Sequence, residues 1–80
     1  MKEKKLHKYN IEIRNGRVNI YIDSLLHLSF SQLSYLGLYS YRDDTSWYGL
    51  DIFLKETTLT LEYETRETWE QVLKLLDSKL

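Results

Sequence analysis

Asn15-Gly16 stands between two alternating runs and constrains this chain more than any other feature. Tyr9, Ile11 and Ile13 alternate with polar residues before it, and Val18, Ile20 and Ile22 do so after it. Asn-Gly is the pair that a two-residue type I′ hairpin turn demands, because both central positions need positive φ. Pairing Arg14 with Arg17 sets Ile13 opposite Val18, Ile11 opposite Ile20 and Tyr9 opposite Ile22. All six side chains then share one face, so turn chemistry and hydrophobic pattern agree on one register. Gly16 is a structural residue in this reading.

The rest of the chain follows the same β pattern. Leu26, Leu28 and Phe30 alternate with His27, Ser29 and Ser31, which favours a third strand and a brief turn near Gln32. The competing reading is a short helix with Phe30, Leu33 and Leu36 on one side, over 29–34. Residues 35–42 and 47–54 are strand-like by aromatic and aliphatic content, separated by the polar turn Asp43-Asp44-Thr45-Ser46. A tight turn at Glu56-Thr57 would set Leu54 opposite Leu59 and Ile52 opposite Leu61, although Glu-Thr is poor chemistry for two residues. Interior glycines at 37 and 49 suggest a bent sheet.

The carboxy terminus is helical. Thr65 is a candidate N-cap with Glu67 in the first turn, and Trp69, Val72, Leu73 and Leu76 form an apolar stripe extended by Leu75 and Leu80. Glu70 and Lys74 are placed for an ion pair on the wet side. With no second helix to meet, the stripe must cover a sheet. The expected class is α+β and mostly β: a strongly curved antiparallel meander of five or six strands, a partial barrel, covered by one C-terminal helix.

Eighty residues make one small domain. Residues 1–8 are expected to be a basic, frayed leader and 9–80 the domain. The charge is divided: residues 1–40 carry six basic and three acidic side chains, and 41–80 carry five and nine. The overall balance of -1 gives no reason to expect nucleic acid or an anionic membrane as partner. No apolar run is long enough for a membrane helix. No cysteine exists, which removes disulfides, thiol nucleophiles and cysteine metal sites and suits a cytoplasmic location.

Sites for chemistry are missing from the pattern. His7 and His27 lack metal-pair spacing, and Asp23, Asp43, Asp44 and Asp51 do not compose a calcium loop. Glu62 and Glu64 share a strand face that reads as solvated, and no glycine-rich phosphate loop or Ser-His-acid arrangement occurs. Neither an enzyme nor a cofactor is expected, and small molecules are poor candidates as ligands.

The hairpin between residues 35 and 53 carries the functional expectation. If Arg42 pairs with Trp47, the tyrosines line the core and Leu36, Leu38, Trp47 and Phe53 lie on the far side. If Tyr41 pairs with Trp47, Tyr39 and Tyr41 move to the outer face with Trp47 and Phe53, since a one-residue slip exchanges the faces. Either way bulky apolar groups occupy both faces. Curling of the sheet, the amino-terminal segment or a partner has to cover the second one. Leu36, Leu38, Tyr39, Tyr41, Trp47 and Phe53 are therefore the candidate interface residues. The expected role is a non-enzymatic protein-binding or self-associating module, with a second copy the favoured partner. The alternatives are a small phage or mobile-element regulator docking on a host protein, and a ligand binder or enzyme with a pocket lined by Tyr39, Tyr41 or Tyr48.

Leu59, Thr60, Leu61, Glu62 and Tyr63, then Thr65 to Trp69, then Val72, Leu73 and Leu76 form a last strand running into an amphipathic helix. Over residues 17–80 this resembles a reduced pleckstrin-homology-like domain. The resemblance implies a helix plugging an open barrel end under Trp69, and a binding scaffold in place of a catalyst. It does not extend to lipid head groups, because no basic loop matches. The proline-free, lysine-, glutamate- and tyrosine-rich makeup also resembles small bacterial and phage proteins.

Overall fold

The computed structural model describes residues 6–42 and 47–80. The leader residues 1–5 and the polar turn at 43–46 lie outside the described residues. Strand β1 (Tyr9–Arg14) and strand β2 (Arg17–Ile22) pair in the register that the sequence dictates, from Arg14↔Arg17 to Tyr9↔Ile22. Asn15 and Gly16 have φ of 52° and 75°, the two positive angles of a type I′ turn. Val18 and Ile20 are fully buried.

A second two-residue turn follows at Asp23-Ser24, again with both φ positive, and leads into β3 (Leu25–Ser31). Ile20 pairs with Leu28 but Tyr21 with Leu26, so His27 is an extra residue on β3. This bulge breaks the expected alternation: Leu28 and Phe30 point inward and are buried, whereas Leu25 and Leu26 are exposed. His7 and Lys8 are tied to the same turn. Lys8 N donates to Asp23 Oδ1, Asp23 N donates to the Lys8 carbonyl, and His7 Nδ1 meets Asp23 Oδ2 at 2.7 Å.

Gln32–Ser34 form a single 3-10 turn, not a longer helix, and β4 (Tyr35–Arg42), β5 (Tyr48–Leu54) and β6 (Thr58–Tyr63) complete the strands. Both later hairpins depart from the expected registers. Arg42 pairs with Tyr48 and Leu38 with Ile52, which lies two residues from the second of the two expected registers and so keeps that register's faces. Leu50 pairs with Leu61 and Ile52 with Leu59, also a two-residue shift. The chain turns through Leu54–Thr57, where Leu54 N donates to the Thr57 carbonyl, because Glu-Thr does not make a two-residue turn.

The strongly curved single meander is not what forms. Among the described residues six strands make two separate three-stranded antiparallel sheets, β1-β2-β3 and β4-β5-β6, and no barrel closes. The cause lies between β3 and β4. A 3-10 turn there replaces a hairpin, with Gln32 N held by the Gly16 carbonyl and Lys55 N donating to the Ser34 carbonyl, so β3 and β4 meet at a corner without pairing. The sheets share a core through side chains instead. Phe30 stacks on Tyr35 with ring centroids 5.9 Å apart, and Val18, Ile20, Leu28, Leu50 and Ile52 join the same cluster.

Helix α1 (Arg66–Lys79) packs on β1, β5 and β6 and so spans both sheets. Thr65 Oγ1 caps it by accepting from Thr68 N, Glu67 sits in the first turn, and Val72 and Leu76 are fully buried beneath it. Trp69, Leu73 and Leu75 pack on the core while only partly buried. Glu70 takes Arg66 as its ion-pair partner at 2.7 Å, not the expected Lys74. Among the described residues no helix is long and apolar enough to cross a membrane.

Candidate functional site

The outer face of the β4-β5-β6 sheet is the candidate site. The β4–β5 register sends Leu38 inward, opposite Ile52, where it packs against the core. Leu38 therefore leaves the candidate interface set. The same register sends Tyr39, Tyr41 and Phe53 outward, opposite Asp51, Gly49 and Gly37. Leu36 is the extra residue of a bulge between Tyr35 and Gly37, and is 63% exposed.

Tyr39 and Tyr41 stack with ring centroids 5.7 Å apart and planes at 24°. The Tyr41 ring lies so close over Gly49 that a Cβ at position 49 would clash with the nearest ring carbons. The glycine is what lets the ring fold down onto the strand. Tyr39 is left standing at 57% exposure, with Phe53 and Trp47 partly open at 39% each. Trp47 precedes β5 and is not part of the strand. Beside the aromatics the face carries Asp51, Thr58, Thr60 and Glu62. Among the described residues Asp51 Oδ1 is shielded from water and has no hydrogen-bond partner. A shielded acceptor of that kind costs roughly 1–3 kcal/mol until a donor meets it.

The first sheet has a different outer face. Arg17 Nη2 donates to Ser29 Oγ at 3.0 Å, and Ser29 Oγ donates to Asn19 Oδ1 at 2.7 Å, so this surface is already hydrogen-bonded to itself. An open groove of about 390 Å³ beside it is lined by Lys8, Asn10, Tyr21 and Ser24. A second groove of about 240 Å³ runs along Glu70, Gln71, Leu73, Lys74 and Asp77. Neither contains Tyr39, Tyr41 or Tyr48, the residues expected to line a ligand pocket. No three His, Asp or Glu side chains gather in a metal-holding group among the described residues.

Three exposed leucines escaped the sequence reading: Leu25, Leu26 and Leu33, the last at 81% exposure. Leu25 and Leu26 follow the Asp23-Ser24 turn and precede the bulge; Leu33 sits in the 3-10 turn. Alternation alone could not place them, because each lies where the alternation is interrupted.

His27 is the other residue that sequence reasoning undervalued. The bulge aims it across to the second sheet, where its Nε2 shares a 2.7 Å hydrogen bond with the buried Tyr63 hydroxyl. Burial pushes the Tyr63 phenol far up and, by desolvation, holds the His27 imidazole below its ordinary 6.5. The unfolded chain then takes up a proton at higher pH than the folded one. This contribution to stability is complete above pH 6.5 and is lost as pH falls through 6.5 towards the lower folded value. Urea midpoints measured at about pH 7.5 and about pH 5 are expected to fall further in wild type than in His27→Gln. Equal losses would show that the imidazole is not coupled to folding.

Comparison with protein-family models, with curated proteins and with solved structures finds no match to this chain.

Proposed function

We propose that the chain is a non-enzymatic protein-binding module that docks through the outer face of the β4-β5-β6 sheet. The observation that carries this reading is the stacked Tyr39–Tyr41 pair on the sheet face that also carries Phe53 among Asp51, Thr58, Thr60 and Glu62. Exposed aromatics at the centre of a patch with a polar rim have the composition of interface anchors. A cysteine-free chain suits a reducing compartment such as the cytoplasm.

Photo-crosslinking in the cells that make the protein tests this function. A benzoylphenylalanine is placed at Tyr39, at Phe53, or at Arg14 on the first sheet as control. Protein adducts from positions 39 and 53 but not from 14 are expected. No adduct from 39 and 53, or equal adducts from all three positions, would overturn the reading.

A further inference from the structure

The two sheets leave four edge strands, and they are not equally protected. β1 carries Glu12 and Arg14 and is pinned to the helix through the Tyr9 hydroxyl and Thr68 Oγ1, 3.1 Å apart. β3 is broken by the bulge at His27, and β6 carries Glu62 and lies against α1. β4 has none of these protections along most of its length. It is the longest strand at eight residues, and its bulge is confined to Leu36 at the start. Its one charge, Arg42, is at the end, and Gly37–Tyr41 is a regular, proline-free, uncharged stretch. Among the described residues the backbone of Gly37, Leu38, Tyr39 and Ser40 pairs only with β5. An open edge of this kind is a template for another strand.

We propose that two copies of the chain pair β4 against β4, antiparallel, joining their second sheets into one six-stranded sheet. This goes beyond the protein-binding reading: the pairing uses the open edge of the same sheet, and the outer face of both copies stays free for docking. A second copy fits because antiparallel pairing of identical strands places a two-fold axis normal to the sheet and closes after two molecules, using up the edge. That axis keeps each face on its own side, so only residues on the same face are paired. Centring it on Tyr39 sets Tyr39 against Tyr39, Leu38 against Ser40 and Gly37 against Tyr41. This register pairs the whole regular stretch with itself and keeps both Leu36 bulges outside.

The charges tolerate it. Arg42 meets Leu36 of the other copy, not another cation. Asp51 lies in line with Tyr39 on β5, so the two Asp51 carboxylates stand three strand spacings apart, about 14 Å. That exceeds the screening length of about 8 Å at physiological salt. The tyrosines become a continuous aromatic row across both copies. A five-residue ladder with its flanking side chains is at the small end of specific interfaces, so the dimer is weak, with a Kd roughly in the micromolar range or above.

Sedimentation equilibrium over a concentration series reads this directly, with Tyr39 as the diagnostic position. Tyr39 is exposed, so Tyr39→Lys and Tyr39→Glu leave the core alone while placing like charges directly opposite each other at the two-fold axis. Each variant alone is expected to weaken dimerisation by roughly tenfold or more. An equimolar mixture of the two is expected to recover a mixed dimer, because Lys then faces Glu. Wild type that stays monomeric to about millimolar concentration, a range covering weak interfaces, overturns the proposal. So does a dimer indifferent to Tyr39→Lys, or a mixture that fails to associate. A foreign-protein adduct at position 39 with monomeric wild type would discard self-pairing and leave the protein-binding reading standing. No adduct of any kind would discard that reading itself.

Discussion

Leu76→Ala is expected to remove a large share of the domain's stability. Leu76 is fully buried beneath α1, the element that packs on strands of both sheets. Removing three side-chain carbons there loses transfer free energy and opens a cavity, at a cost of roughly 2–5 kcal/mol. A chain of this length has about 4–12 kcal/mol of stability in total. The melting temperature should fall by about 15–20 °C, on the scale of several degrees per kcal/mol for a domain this small. The contrast is Lys74→Ala on the same helix, outside the core cluster, where a change of less than about 0.5 kcal/mol is expected. If thermal denaturation shows the two variants to be alike, the helix does not hold the sheets together.

What the sequence revealed depends on whether the determinant was local. In the β1–β2 hairpin, the Asn15-Gly16 angles and the Ile/Val alternation specify the same pairing, and both are written within fourteen residues. Helix α1 is similarly local, since its cap, its first-turn carboxylate and its apolar stripe all lie inside it. The β4–β5 and β5–β6 registers are each two residues away from an expectation. Side-chain period fixes only the parity of a register, and the connecting segments contain no turn pair as restrictive as Asn-Gly. The faces were therefore legible for β5–β6 though the pairing was not, whereas for β4–β5 two registers of opposite parity left the faces open. This is why Tyr39, Tyr41 and Phe53 fall together as one of the two registers required, while Leu38 belongs to the core.

Three features had no local signature. Asp23-Ser24 makes the same kind of turn as Asn15-Gly16 with residues that usually do other things; only Asp is at ease with positive φ. The His27 bulge is stabilised by Tyr63, thirty-six residues away, so nothing near His27 announces it. The division into two sheets turns on whether Ser31-Gln32-Leu33-Ser34 makes a hairpin or a corner. Polar composition suits both. The corner is held by the Gly16 carbonyl at the far end of the first hairpin and by Lys55 from the second sheet, contacts that no window of sequence contains.

Trp69 is expected to separate hydrogen bonding from packing at the helix–sheet junction. Without a barrel end to plug, its indole lies against β5 and stays partly exposed. Its Nε1 donates to the Gly49 carbonyl at 2.8 Å, and its ring meets Tyr48 with centroids 5.2 Å apart. Trp69→Ala removes both interactions and most of the contact area. The 3–5 kcal/mol of a fully buried indole is reduced here by partial exposure, to roughly 2–4 kcal/mol. Trp69→Phe keeps an aromatic face for Tyr48 but strips the donor from the carbonyl of Gly49, a buried residue. An abandoned buried acceptor costs about 1–3 kcal/mol, so the phenylalanine variant should recover no more than about half of the alanine loss. Urea denaturation of both variants decides the matter. A neutral Trp69→Phe would mean that water replaces the indole at Gly49 and that packing alone anchors the helix. Two neutral variants would remove Trp69 from the junction and leave Val72 and Leu76 to hold the sheets by themselves.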